Sequence, residues 1–329
     1  VSCVSIAACL GGRPSSAPVL ELEVQPVPLN PESPRQAAVG PLRFRGGLWL
    51  RSPDPRFGGL SDLRVSADGV RLLAVSDCGY GFAAEVLYDA HGGLTGIRGA
   101  SLVELVGPGG RALSTDEIDA EALERQGDDL LVGFEGPARV WRYRANPPFG
   151  GPPSPVASPP LSPECRDNRG LESITTVGSG RLLFLCEGRG LRPASAPAWV
   201  GANGRWQARE YPLDGGGAGF GDVFRPTSAA RLPDGDVLVL ERRYPPLAAR
   251  LRQLSRADVE GTEPFAPRTV AVLEPPLSID NFEGLAVRRA ASGGTYLYLL
   301  SDDNGCAKVG PLAGPRLQRT LLLLFELEG

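Results

Sequence analysis

The chain has 329 residues, including 43 Gly and 32 Pro, and a net charge of −4. A chain of this length can bury a large core, and its acidic balance argues against a nucleic-acid partner, since phosphate backbones select basic surfaces. His91 is the only histidine, which excludes a His-rich zinc or iron site. Its setting, Tyr88-Asp89-Ala90-His91-Gly92-Gly93, reads as a surface loop.

At the N-terminus, Ile6-Ala7-Ala8-Cys9 places small residues before a cysteine, as in a bacterial lipobox. Cys9 would be lipidated after signal cleavage, although the apolar part is short and no basic region precedes it. The expectation is an exported protein, a periplasmic or cell-envelope lipoprotein, with residues 1–12 as the signal remnant and the lipid as its only membrane contact. Residues 13–41 carry Pro14, Pro18, Pro26, Pro28, Pro31, Pro34 and Pro41, a composition suited to an extended tether. Residues 20–24 could still pair as an edge strand. No later run reaches the roughly 18 apolar residues that span a bilayer.

Residues 42–329 read as one all-β domain. A strand-like run, LRFRGGLWL at 42–50, stands before the first repeat. The first repeat offers strands at 59–65 and 71–76 about an Asp68-Gly69 turn, then 86–88 and 97–106. A Pro-rich stretch at 147–163 reads as a long surface loop between repeats. The fourth repeat has 227–232, a Pro233-Asp234-Gly235 turn, 237–240, 251–254 and 269–273. Asp-Gly between apolar runs is a strong hairpin signal. The last repeat supplies 285–287, 296–300 and 320–327 but lacks a fourth strand. The run at 42–50 would complete it and close a ring. This pattern predicts a β-propeller of five four-stranded blades, or six if an insert hides a degenerate unit, with a β-sandwich as the alternative.

Five of the apolar runs close on an acid: LLAVSD at Asp77, LLVGFE at Glu135, LLFLCE at Glu187, VLVLE at Glu241 and YLLSD at Asp302, with steps of 58, 52, 54 and 61 residues. The first strands open at Gly58, Glu121, Glu172, Thr227 and Glu283. In an antiparallel hairpin the start of one strand and the end of the next share a level, so these acids should converge on one mouth of the channel. Two compensations fit so much like charge. Neighbouring arginines (Arg56, Arg139, Arg169, Arg189, Arg225, Arg242, Arg243) and Lys308, the only lysine, could form ion pairs between blades. Alternatively Asp77, Glu135, Glu187, Glu241 and Asp302 could ligate a hard cation such as Ca²⁺, for which Ser301-Asp302-Asp303-Asn304-Gly305 is suitably oxygen-rich.

Six cysteines fit an oxidising compartment. With Cys3 removed and Cys9 lipidated, four remain. Cys78 and Cys306 follow the acids of the first and last repeats, which adjoin in a closed ring, so a Cys78–Cys306 disulfide is expected. Cys165–Cys186 would be a second, local bridge; free buried thiols are the alternative.

The motifs FGGLSDLRV, LLAVSD, DAEAL, LLVGFE, NFEGLAV, LLSDDN and QRTLLLLFEL resemble the bacterial "esterase-like activity of phytase" family from about residue 42 to 327. The resemblance implies a β-propeller, export, and hydrolysis of phosphoesters or esters, but carries over no residue roles. The residues themselves disfavour a serine hydrolase. Gly59-Leu60-Ser61-Asp62-Leu63 breaks the G-x-S-x-G elbow, and a triad would have to recruit His91. Metal-assisted hydrolysis remains chemically feasible. In it Glu121, Glu172 and Glu283 hold metal or act as base, and Arg169, Arg225 and Lys308 hold a small-molecule substrate. The competing expectation is a non-catalytic propeller that binds a ligand or a protein.

Overall fold

The computed structural model describes residues 19–161, 165, 170–188, 193–214, 223–305 and 318–328. Three strands come first: β1 (Glu23–Pro26), β2 (Ala38–Val39) and β3 (Leu42–Arg51). Blade 1 follows as β4 (Leu60–Val65), β5 (Arg71–Ser76), β6 (Tyr80–Tyr88) and β7 (Leu94–Glu104). Blade 2 is β8 (Ala120–Gln126), β9 (Asp129–Phe134), β10 (Arg139–Ala145) and β11 (Pro148–Pro155). Blade 3 is β12 (Leu171–Thr176), β13 (Leu182–Cys186), β14 (Ser195–Ala202) and β15 (Arg205–Pro212). Blade 4 is β16 (Arg225–Arg231), β17 (Val237–Arg243), β18 (Ala248–Leu254) and β19 (Arg268–Leu273). Blade 5 begins with β20 (Asn281–Arg289), β21 (Thr295–Asp302) and β22 (Thr320–Leu327). Each of the first four sheets runs in sequence order from its innermost strand. The fifth runs β20-β21-β22-β3-β1, so the N-terminal strand closes a five-bladed ring through the ladder from Thr320↔Leu50 to Leu327↔Leu42.

The apolar runs are continuous rather than alternating because each blade stands between two others and buries both faces. Leu72 and Ala74 of β5 pack toward blade 5, while Leu73 and Val75 pack toward blade 2. Leu183 and Leu185 of β13 likewise face blade 4, while Leu182 and Phe184 face blade 2. The remaining core lies between blades 4 and 5, around Leu238, Leu240, Leu297 and Leu299. A strand read alone therefore shows no period of two, and its parity is hidden.

Three expectations are corrected. The Pro-rich stretch after residue 147 is not all loop, since β11 is the outer strand of blade 2, pairing Trp141↔Pro155 and Arg142↔Ser154 with two register slips. Proline is tolerated there because the outer side of an edge strand has no ladder to feed. The described part of the expected tether, residues 19–41, lies on the propeller: β1 adds to β3, and Leu20 and Leu29 are buried. The third strand of blade 1 starts at Tyr80, ahead of the expected 86, its small residues Gly81, Ala83 and Ala84 masking its period. The Cys165–Cys186 disulfide is present. Cys78 is disulfide-bonded, while Cys306 lies outside the described residues, as does Cys9. No helix among the described residues is long and apolar enough to cross a membrane.

The channel is closed on its axis by one side chain. Arg64 of β4 bonds the Leu63 carbonyl of its own strand at 2.6 Å and Glu124 of β8 at 2.9 Å. It also bonds the carbonyls of Ile174 in β12 at 2.9 Å, Ala229 in β16 at 3.3 Å and Leu285 in β20 at 3.1 Å. The innermost strand of every blade thus meets one guanidinium. Asp62, fully buried, pairs with it at 3.1 Å and accepts from Leu123 N–H at 2.9 Å and Ser228 Oγ at 2.9 Å. Arg64→Ala should cost roughly 3–5 kcal/mol in urea unfolding, because it strands two buried carboxylates. Arg64→Lys should recover little, since three ammonium donors cannot replace a planar fork. A loss below about 1 kcal/mol would contradict the axial role.

Candidate functional site: an acidic basin at one mouth of the channel

Every innermost strand has a bulge at the same level. The ladders skip one residue between Leu60 and Asp62, Ala120 and Ala122, Leu171 and Ser173, Pro226 and Ser228, and Phe282 and Gly284. The skipped residues are Ser61, Glu121, Glu172, Thr227 and Glu283. A bulge re-aims the extra side chain out of the regular alternation, and here it brings three glutamates into one basin. In blade 1 the equivalent position is Ser61, not the expected Gly58.

The second strands end at the same level. Asp77 N–H bonds Gly59 C=O at 3.0 Å and Glu135 N–H bonds Asp119 C=O at 2.8 Å. Glu187 N–H bonds Gly170 C=O at 3.4 Å, and Asp302 lies opposite Asn281. In blade 4 the equivalent residue is Arg242, opposite Arg225, whereas Glu241 lies opposite Pro226. Glu241 therefore leaves the ring. Its carboxylate is fully buried against Tyr211 Oη at 2.7 Å and Arg250 Nε at 2.5 Å, so it is a structural partner and not a metal ligand of the mouth. The spacing of 54 residues resembles its neighbours, but one residue changes which side of the strand is meant.

Arg242 puts a cation into the ring of acids. It bonds Glu283 at 2.8 Å, reaches Glu187 at 3.5 Å, and also donates to Asn281 Oδ1; Asn281 Nδ2 donates to the same Glu283 oxygen at 2.8 Å. Asp303, part of the oxygen-rich run at 301–305, also belongs to this mouth, beside Asp77. It links blades 5 and 1 by accepting from Gly59 N–H at 2.9 Å and Gly305 N–H at 2.8 Å. Asp119 also faces this basin, raising the proton affinity of Glu121. Of the other arginines, Arg225 donates to the Glu187 and Gly188 carbonyls at 3.3 and 2.6 Å. Arg139 stacks on Phe134 and Trp141, Arg56 pairs with Asp54 at 2.6 Å, and Arg243 lies over Phe224. Arg169, Arg189 and Lys308 lie outside the described residues.

Burial favours the protonated forms of these acids. It pushes Asp77 up to about 8, with Glu283, Asp119 and Asp303 adding repulsion. Burial likewise raises Glu121, next to Glu283 and Glu135, and Asp302, next to Glu283 and Asp77. Glu135 and Glu172 lie within hydrogen-bonding reach of one another. Burial lifts Glu135 to about 7 against that contact and the Gly170 N–H, and it lifts Glu172 well above the usual range with the help of Glu135 and Glu187. Burial thus favours the protonated form on both carboxyls, which titrate as a pair. Glu283 is raised by burial, with Arg242 opposing the shift.

These shifts set the sign of the pH dependence. A carboxyl raised on folding binds more protons in the native than in the unfolded state, so stability falls as pH rises. The contribution is complete below the unfolded carboxyl range, near pH 4. It is lost as pH passes the values of about 6 for Asp62, 7 for Glu135 and 8 for Asp77. Melting temperatures should therefore decline between pH 5 and 8.5. Glu121→Gln should flatten that slope and raise Tm at pH 8 by about 2–4 °C. A Tm that climbs across this range would contradict the basin's electrostatics.

Among solved structures the chain is similar to the endo-arabinase from Bacteroides thetaiotaomicron, at 11% identity over 82% of this chain and 95% of that one, TM-score 0.46. It is also similar to sucrose-6-phosphate hydrolase from Lactobacillus gasseri, at 13% identity over 84% and 62%, TM-score 0.43. A third similarity is to the Phage phi92 endosialidase, at 12% identity over 88% of this chain and 54% of that chain, TM-score 0.42. No curated protein matches the chain in sequence. The model of the phytase-like family, described as "esterase-like activity of phytase", matches residues 55–305. That span runs from the approach to β4 to the acids after β21 and so takes in every carboxylate of the basin; the chain belongs to this family.

Proposed function

We propose that the acidic basin is a hydrolytic site for a small phosphoric or carboxylic ester, with a hard divalent cation such as Ca²⁺ recruited for phosphoesters. The observation that carries this reading is the Glu135–Glu172 pair, two neighbouring carboxyls whose proton affinities burial raises, Glu135 to about 7, so that one can act as acid and the other as base. Glu135 would take a proton from the attacking water, and Glu172 would return one to the departing alkoxide. Arg242, held by Asn281 and Glu283, would stabilise the oxyanion that develops between them. Burial favours the protonated forms of Glu121, Glu172 and Asp302, which would reduce the repulsion an anionic ester meets on the way in.

The donor set of the basin is oxygen throughout, which suits Ca²⁺ over softer metals. Asp77 Oδ1 is buried and has no hydrogen-bond partner, as an atom awaiting a cation would be. Among the described residues no three His, Cys, Asp or Glu side chains are grouped to hold an ion. Asp77 and Asp302 would thus supply part of a coordination shell, and water or main-chain oxygens the rest. When bound, the ion would polarise the ester oxygen and offset its charge. The reading also takes the protein to be exported, in keeping with the Cys9 motif, and a Cys165–Cys186 bridge suits an oxidising compartment.

A non-catalytic, cation-binding propeller is the second reading, favoured because Arg242 already spends donors on Asn281, Glu283 and Glu187. An assay panel of nitrophenyl phosphate, phytate and nitrophenyl esters, with and without Ca²⁺, separates the two. Turnover is expected, with Glu172→Gln lowering kcat by about 10²–10⁴-fold and changing KM little. Calcium-induced thermal stabilisation with no turnover on any substrate would replace the first reading with the second.

A further inference from the structure

A second cluster of opposed charges lies outside the basin, where the outer strand of blade 3 meets the third strand of blade 4. Arg250 and Arg252 of β18 are two residues apart and share a side of their strand. That side faces blade 3, since Arg252 Nη1 donates to the Pro212 carbonyl at the end of β15, at 3.0 Å. Each arginine is only 7% exposed. Arg250 lies over the Phe224 ring, 4.4 Å from its centroid, and Arg252 Nη2 donates to the Pro267 carbonyl at 2.9 Å. Both guanidinium groups are thus held in place by contacts that carry no counter-charge.

Two acids answer them, and unequally. Glu241 is fully buried and takes Arg250 Nε at 2.5 Å, with Arg252 Nη1 at 3.5 Å and Tyr211 Oη at 2.7 Å. The Asp214 side chain is 59% exposed; its Oδ2 meets Arg250 Nη1, and its Oδ1 stands 3.8 Å from Arg252 Nη1. One oxygen of Asp214 addresses each guanidinium, as the oxygens of a bound anion would. Even so, Arg250 Nη2 and Arg252 Nε are buried and have no hydrogen-bond partner. Buried donors left unpaired are costly, and an ion pair with so exposed a partner offsets little of that cost.

We propose that this seam between blades 3 and 4 is a binding site for a tetrahedral oxyanion, phosphate or sulfate, whose place Asp214 takes in the structure. Glu241 balances one of the two guanidinium charges, and the other is left to an acid that lies mostly in water. A tetrahedral oxyanion brings four acceptor oxygens where a carboxylate brings two, enough to take up the donors that Asp214 leaves unpaired. Guanidinium forks suit such an anion, which they meet with paired, charge-assisted hydrogen bonds. Asp214 would turn fully into solvent at small cost, being more than half exposed already. Glu241 and Arg242 are consecutive residues of β17 and point to opposite sides of it. The site therefore stands apart from the basin, and the inference does not depend on the basin being catalytic.

Titration calorimetry and thermal unfolding in millimolar phosphate test the site, with chloride balancing the ionic strength. Concentrations stay low because phosphate and sulfate in excess stabilise any protein by exclusion from its surface. Asp214→Asn removes the competing charge, so phosphate should bind it at least tenfold more tightly than wild type and raise its Tm accordingly. Adding Arg252→Lys to Asp214→Asn should abolish that gain; if this double variant fails to fold, Arg250→Lys in the same background takes its place. Equal phosphate binding by wild type and Asp214→Asn would overturn the proposal, because the anion would then lie elsewhere, the basin included. An Asp214→Asn protein that is less stable than wild type and insensitive to phosphate would also overturn it, leaving Asp214 as an ion-pair partner and nothing more.

Discussion

A single guanidinium on the propeller axis ties the five innermost strands together, and the basin depends on it. A ring of blades packed only by apolar faces leaves its central channel lined with main-chain carbonyls that lack partners across the axis. Arg64 meets carbonyls of β4, β12, β16 and β20 and the Glu124 carboxylate of β8. Its planar, always-charged fork suits this convergence in a way an ammonium would not. The plug also gives the mouth a floor. Arg64 lies three residues along β4 from the bulged Ser61, roughly 10 Å at strand rise, so the acids crowd a closed-ended basin and not an open pore.

The basin works against the usual economy of charge. Buried carboxylates are ordinarily paired, and a lone charge in the interior is expensive. Glu241 follows that rule with Arg250 and Tyr211, as does Asp62 with Arg64. Asp77, Glu121, Glu172 and Asp302 are instead pushed toward their protonated forms by burial and by one another, and Arg242 offsets Glu283 and Glu187 locally. Such shifted acids cluster where a site handles protons or cations. The five inner bulges create this state, because a regular strand would turn Glu121, Glu172 and Glu283 into the apolar seams between blades.

Much of the architecture could be read from residue pattern. The Asp-Gly turns, the recurrent apolar runs and the orphaned strand at 42–50 are local signals, and they led to five blades closed by the N-terminal strand. The proline-rich β11 could not be read this way, since whether proline is tolerated depends on which strand ends up outermost. The expected tether failed similarly: Leu20 and Leu29 look like isolated apolar residues until β3 and the interblade cores exist for them to cover.

The sequence by itself determined that acids recur at the ends of second strands, that glutamates open three first strands, and that a local cysteine pair is available. These follow from composition and spacing along a chain with a strand period of two. Only the tertiary structure decided which of two neighbouring residues, Glu241 or Arg242, faces the mouth, that Ser61 and not Gly58 is the partner of Glu121, and that Arg64 reaches every blade. Strand parity, bulge position and contacts across the axis all depend on pairings between distant segments, and a one-residue shift in such a pairing reverses the face on which a side chain lies.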